Sequence, residues 1–312
     1  MESSSRRDFV KCVVGAIGAG LTLNGAGPAA AYPLGLAPGL QLWTVKDALG
    51  TDEAGTLKEV ARIGYRELEL YQVPKSPGEF KKRCDDLGLR LTGCHVSLQS
   101  LDDQKTLDVA QQLALQYLIV VFPTLRAIGT KDISKMSVGE LMPLYEKISA
   151  DDYRWNAEQF NRHGAALKKI GLQLGYHNHA LDLKRFGNES AMDILIQNTD
   201  PSLVVFEMDC GHVIHAGADP VKYLQKYPQR IQLLHLKDLK PGYSVSSSID
   251  TEEKDVNVEL GKGVIDWPHL FQVAKRGSIK HYFVEHEGPM GHPPLESIAN
   301  SLQYLRRFGP DV

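Results

Sequence analysis

A single (β/α)8 barrel preceded by a signal peptide is the fold class this sequence predicts, and three observations predict it. Strand-like runs alternate with helix-like runs about eight times, the number that closes a barrel. Several strands are apolar throughout, as in Tyr117-Leu118-Ile119-Val120-Val121-Phe122, which is the pattern of a parallel sheet covered on both faces. Ionisable residues gather where those strands end, and in a parallel barrel that end carries the chemistry. The rival, an open doubly wound sheet, would want a glycine fingerprint after its first strand, and Leu42 to Asp52 has none.

The chain opens on Ser5-Arg6-Arg7-Asp8-Phe9-Val10-Lys11, an apolar glycine-rich run from Cys12 to Gly27, and Ala29-Ala30-Ala31. That sequence resembles a twin-arginine (Tat) signal peptide over residues 1–31, with small residues for cleavage. Export to the periplasm is the expectation, with residues 32–312 as one barrel domain. The whole chain is 43% apolar, 23% charged and carries a formal charge of -3, as in ordinary globular proteins. No basic excess suggests nucleic acid, and no second apolar stretch is long enough for a bilayer after signal cleavage. Cys84, Cys94 and Cys210 are odd in number, and the last two fall in strands, so buried thiols are expected rather than a disulfide framework.

The elements follow in order. Leu40 to Val45 reads as the first strand and Thr51 to Ile63 as a helix stopped by Gly64. Tyr65 to Leu70 is a strand, Pro77 to Leu87 a helix closed by Gly88, Leu89 to Val96 a strand, Leu101 to Leu115 a helix and Tyr117 to Phe122 a strand. Pro123 to Asp152, with Arg126, Lys131 and Lys135, is longer than a usual connection and reads as a lid or binding loop. Asp152 to Ile170 is a helix and Leu172 to Tyr176 a strand; Ala191 to Ile196 is a helix and Leu203 to Met208 a strand. Asp219 to Tyr227 is a helix, Ile231 to Leu236 a strand, Lys240 to Gly263 a second long loop and Val264 to Arg276 a helix. His281 to Val284 is the last strand and Leu295 to Phe308 the last helix.

The strand ends carry Glu69, then His95, then His177 and His179, then Asp209 and His212, then His235, Lys237 and Asp238, and finally Glu285 and Glu287. His177 and His179 are two apart on an extended segment, so both imidazoles point one way. Carboxylates converging without a cation would repel one another and resist ionising. A divalent cation bound by two carboxylates and two imidazoles resolves this, and such mixed donors suit Mn, Co, Zn, Fe or Mg, in that order.

Tyr176-His177-Asn178-His179, Met208-Asp209-Cys210-Gly211-His212, His235-Leu236-Lys237-Asp238, Gly261-Lys262-Gly263-Val264-Ile265-Asp266-Trp267 and Val284-Glu285 resemble the sugar phosphate isomerase/epimerase superfamily, the xylose isomerase-like TIM barrels. Inosose dehydratase and endonuclease IV belong to it. The resemblance implies a metal held by His177, Asp209, His235 and Glu285, with His212 beside the substrate. It departs at strand five, where ketose 3-epimerases have a glutamate that is both ligand and acid/base and this chain has His177. A metal-bound imidazole cannot also shuttle protons, so Glu285 is the expected base as well as ligand, with His179, Lys237 or Glu69 as alternatives. His95 and Trp43 join His212 as expected substrate contacts, Trp43 as a stacking face for a sugar.

The first functional reading is a metal-dependent sugar isomerase or epimerase that abstracts a proton next to a carbonyl through an enediolate. Exported location favours free sugars or oxidised glycosides, which makes a 3-keto-glycoside lyase or hydrolase, working by β-elimination on the same site, the alternative. A barrel that binds sugar without chemistry is the alternative of another class. An endonuclease-like phosphoesterase would need clustered metals and a basic face, against the charge of -3. Barrels of this kind are compatible with homo-oligomers.

Overall fold

Eight short parallel strands pair edge to edge and close: β1 (Gly39–Gln41), β2 (Glu67–Leu70), β3 (Arg90–Val96), β4 (Tyr117–Val120), β5 (Gln173–His177), β6 (Val204–Asp209), β7 (Ile231–Leu236) and β8 (His281–Val284). Each pairs with its neighbours in sequence, and β8 returns to β1 with Leu40 beside Val284. The computed structural model describes residues 32–126, 138–248 and 256–309, so the expected signal peptide, Lys131 and Lys135 lie outside the described residues.

Eight principal helices cover the barrel: α1 (Glu53–Ile63), α2 (Pro77–Asp86), α3 (Gln104–Gln112), α4 (Ala150–Lys169), α5 (Ala191–Asn198), α6 (Pro220–Lys226), α7 (Trp267–Ala274) and α8 (Pro294–Leu305). Side-chain caps, which take up backbone N–H groups that the first turn leaves unpaired, set six of these starts, while α2 and α8 begin on a proline without one. Ser149 and Ser190 form capping boxes with Asp152 and Asp193 at α4 and α5.

Caps also account for where the sequence reading of boundaries fails. The first strand stops at Gln41 because the Gln41 side chain accepts from the Trp43 N–H at 3.1 Å and turns Leu42–Val45 into a 3-10 helix. Asp52 caps α1, so Lys46–Thr51 is a separate short helix. Asp103 caps α3, splitting the expected Leu101–Leu115 helix, and Asp266 starts α7 at Trp267. The long stretch after β4 holds a further helix, Val138–Tyr145.

Period-two alternation divides the strands into two cores. Tyr117, Ile119, Val205, Leu233 and Phe283 pack together inside the barrel, while Leu118, Val120, Tyr176, Phe206, Leu234 and Tyr282 pack outward under the helices. Gly175 on β5 makes room in the interior, since a Cβ there would sit 2.9 Å from Ile119 Cγ1. The alternation that buries Leu233 also turns His235 and Lys237 inward, and Phe283 does the same for Glu285. Cys84, Cys94 and Cys210 are buried and free, as expected. Among the described residues no helix is long and apolar enough to cross a membrane.

Candidate metal centre and catalytic mouth

His177 and Asp209 end β5 and β6, His235 is the fifth residue of β7, and Glu285 follows β8. Donor atoms of these four buried residues all lie within 4.8 Å of one another. Lys237 is 1% exposed and sits over two of them, its Nζ 2.8 Å from Asp209 Oδ2 and 2.9 Å from Glu285 Oε2. The same ammonium reaches Glu287 Oε2 at 2.9 Å and His212 Nε2 at 3.2 Å. Gly211 admits it: a Cβ there would meet Lys237 Cγ at 2.8 Å. Asp209 is held from behind, its N–H donating to Asn178 Oδ1 at 3.1 Å and its Oδ1 accepting from the His212 N–H at 2.8 Å. His179 stacks on Phe122 with centroids 4.1 Å apart and lies 4.7 Å from the His212 ring, and its Nδ1 is buried without a partner.

A deeper layer lies behind His235. Glu69 Oε2 is 2.6 Å from His235 Nε2, 3.0 Å from His95 Nε2, and accepts from Gln41 Nε2 at 2.7 Å. Glu207 Oε2 is 3.1 Å from both His235 Nε2 and His177 Nδ1 and 3.3 Å from His95 Nε2. Both carboxylates are fully buried. Burial works against charging His95, yet Glu69 and Glu207 push it up to about 9. Burial likewise opposes charging His235, which Glu207, Glu285 and Glu69 together raise well above the usual imidazole range. Burial and neighbouring imidazoles hold His177 and His179 neutral, far below that range. Burial pushes Asp209 up to about 6 against the pull of Lys237, whereas for Glu285 Lys237 and His235 overcome burial and hold the carboxyl well below its usual range.

The profile of the xylose isomerase-like TIM barrel family matches residues 57–308. This chain belongs to that family. It is 25% identical over 288 residues to an inosose dehydratase of Clostridium botulinum (strain Alaska E43 / Type E3), covering 85% of this chain and 93% of the relative. It is similar in fold to a sugar phosphate isomerase/epimerase from Parabacteroides distasonis ATCC 8503, with TM-score 0.69, 24% identity, and 87% and 96% of the two chains covered. It also shares the fold of a 3-keto-D-glucoside 4-epimerase from E. coli, with TM-score 0.62, 14% identity, and 87% and 99% covered.

In this xylose isomerase-like barrel the donor set itself tests the fit of a metal. Two carboxylates and two imidazoles, all buried and converging, form a set that suits a divalent cation with mixed nitrogen and oxygen ligands. His177 is neutral, the state a ligand needs, and a bound cation would take the place of the proton that the surrounding carboxylates hold on His235. Lys237 places positive charge beside the two carboxylates of that set. The residues present therefore fit a divalent metal.

The expected site residues divide by place. His177, Asp209, His235, Glu285, Lys237, His179 and His212 come together at the mouth. Glu69 and His95 lie one layer deeper, packed on each other and on His235. Trp43 stands apart on the rim, 38% exposed, with Lys46 Nζ 3.7 Å above its ring and Tyr71 edge-on at 5.5 Å. Glu207 was not expected from sequence. Its signal was available, because it lies two residues before Asp209 and so shares its face.

Proposed function

We propose that the chain is a divalent-metal-dependent enzyme that removes the proton next to a carbonyl of a sugar or cyclitol, and that the enediolate so formed proceeds to β-elimination. The carrying observation is the ring of His177, Asp209, His235 and Glu285 with the Lys237 ammonium laid across its two carboxylates. The cation held there would supply Lewis acidity toward the carbonyl oxygen and the hydroxyl next to it. Every other contribution comes from side chains. Glu285 is engaged by His235 and Lys237, and Lys237 is an ammonium, so neither is open to receive a proton. Glu69 is sealed behind His235, where it fixes that imidazole's tautomer and orientation. His179, neutral and with a free Nδ1, takes the proton.

The C–H electron pair becomes the double bond of the enediolate. Its return to the ketone shifts that pair and expels the β-oxygen, which takes its proton from Lys237 with His212 beside it. An imidazole base and an ammonium acid of unlike kind suit removal of a proton and departure of a group. The dehydratase relative agrees in reaction type. Isomerisation or epimerisation through the same enediolate is the second reading, supported by the names of the two structural neighbours. Metal identity is proposed as Mn, Co, Zn, Fe or Mg, and the periplasm as location on the twin-arginine motif.

The experiment is metal analysis of protein purified without chelators, then deuterium exchange in D2O with an inosose and a 3-keto-glucoside, followed by product analysis. Asp209→Ala and Glu285→Ala are expected to lose metal and activity together. His179→Gln is expected to keep its metal and lose exchange by about 10²–10⁴-fold. A metal-depleted variant with wild-type activity would overturn the mechanism.

A further inference from the structure

The turn that follows β5 is the 3-10 helix Ala180–Leu183, and it starts from His179. Within it Asp182 is 0% exposed, a costly place for a carboxylate unless hydrogen bonds replace the lost water. Three donors do so. The Tyr153 hydroxyl on α4 donates to Asp182 Oδ1 at 3.0 Å, the Tyr176 hydroxyl on β5 donates to the same oxygen at 2.9 Å, and the His179 N–H donates to Oδ2 at 2.8 Å. The Asp182 N–H in turn donates to the His179 carbonyl oxygen at 3.1 Å. Asp182 thus holds both backbone groups of His179, and it is anchored to a helix and a strand by two tyrosines that are themselves buried.

The His179 ring lacks the device that aims His235, which has carboxylates on both nitrogens, Glu285 at Nδ1 and Glu69 at Nε2. No partner holds His179 Nδ1, and other rings pack around the imidazole instead. Phe122 stacks on it at 4.1 Å with the planes 19° apart, and His177 stands edge-on at 5.0 Å. Stacking fixes the plane of a ring more than its place within that plane, so the aim of this imidazole is set by where its Cα is pinned. A short turn can be capped by serine or asparagine without putting a charge in the core. What the buried carboxylate adds is stiffness at the one residue whose imidazole faces the mouth.

We infer that Asp182 is a positioning residue: it aims the His179 imidazole by gripping the main chain on either side of its Cα, with Tyr153 and Tyr176 as anchors. This role rests on the proposed action of His179 as base, and it belongs to a residue outside the four donors of the metal set.

A misplacement of about 1 Å costs about 10²-fold in rate. Asp182→Ala is therefore expected to lower kcat for proton exchange about 10²-fold, with KM within about twofold and metal content unchanged. Asp182→Asn keeps an amide oxygen for the His179 N–H and is expected to restore most of that rate. The decisive comparison is with His179→Gln. Because Asp182 acts through His179, adding Asp182→Ala to His179→Gln is expected to cost no further rate; losses that multiply would overturn the inference. Tyr153→Phe combined with Tyr176→Phe removes both anchors, leaves the apolar packing in place and is expected to show the same dependence on His179 at a smaller loss, which keeps the comparison decisive where Asp182→Ala does not fold. A second readout needs no substrate. In isotope-labelled protein at about pH 8, above the value of about 7 to which burial raises the Asp182 carboxyl, the His179 ring protons are expected to carry an upfield shift from the stacked Phe122 ring. Asp182→Ala and the tyrosine pair are expected to remove that shift and leave the His235 signals in place; a shift kept in both would overturn the inference. Exchange that is absent from the wild type, or undiminished in His179→Gln, would instead overturn the proposed reaction or its base, and the ring signals would still decide whether Asp182 aims the imidazole.

Discussion

Lys237 is the side chain on which the charges of the mouth converge. Burial works against its ammonium, and Asp209, Glu285 and Glu287 more than compensate, raising its pKa well above the ordinary lysine value. Because the four donors of the metal set do not include it, Lys237→Met is expected to keep stoichiometric metal and to lose turnover by about 10²-fold or more, checked by metal analysis beside steady-state rates. Unchanged kinetics would demote Lys237 to a structural counter-ion. The sequence made His177, Asp209, His235, Lys237 and Glu285 legible, because each ends or follows a strand and a parallel barrel brings those ends together. It did not tell Glu69 and His95 apart from the mouth residues. All of them are ionisable groups at strand ends, and the depth that separates them depends on barrel stagger, which no local pattern carries. Glu207 stands in a run that otherwise reads as apolar strand, and only its two-residue spacing from Asp209 marked it as facing the site.

At the scale of elements, Asp238 organises the return from β7 to α7. Its carboxylate accepts from the backbone N–H of Leu239 at 3.0 Å, Gly261 at 3.0 Å and Ile265 at 3.2 Å, and from Trp267 Nε1 at 2.9 Å. Gly263 has to be glycine beside it, since a Cβ there would lie 2.1 Å from Asp238 Oδ1. Asp238→Ala strands several buried donors at once, and is expected to cost about 3 kcal/mol or more, read as a lowered urea midpoint. The order of strands and helices was legible because hydrophobic period is local. Boundaries were less so, as β1 shows: Leu40 to Val45 looks like one strand, but the Gln41 side chain competes for the Trp43 N–H and ends it after three residues. Asp52, Asp103 and Asp266 shift three helix starts by the same kind of competition.

At the scale of the molecule, the closed ring of strands makes the mouth a meeting of four separate strand ends, so a metal there ties together segments from residue 177 to residue 285. The buried thiols turn that tie into something that can be timed. Cys210 follows Asp209 directly, whereas Cys84 sits in α2 on the far side of the sequence, and burial raises the pKa of both, Cys84 to about 12. Neither reacts with a thiol reagent until its surroundings open. Chelating the metal is therefore expected to speed the labelling of Cys210 well beyond that of Cys84, read by mass spectrometry of quenched samples. Equal acceleration at both would mean that the barrel opens as one unit, with the cation acting as a latch on the whole ring.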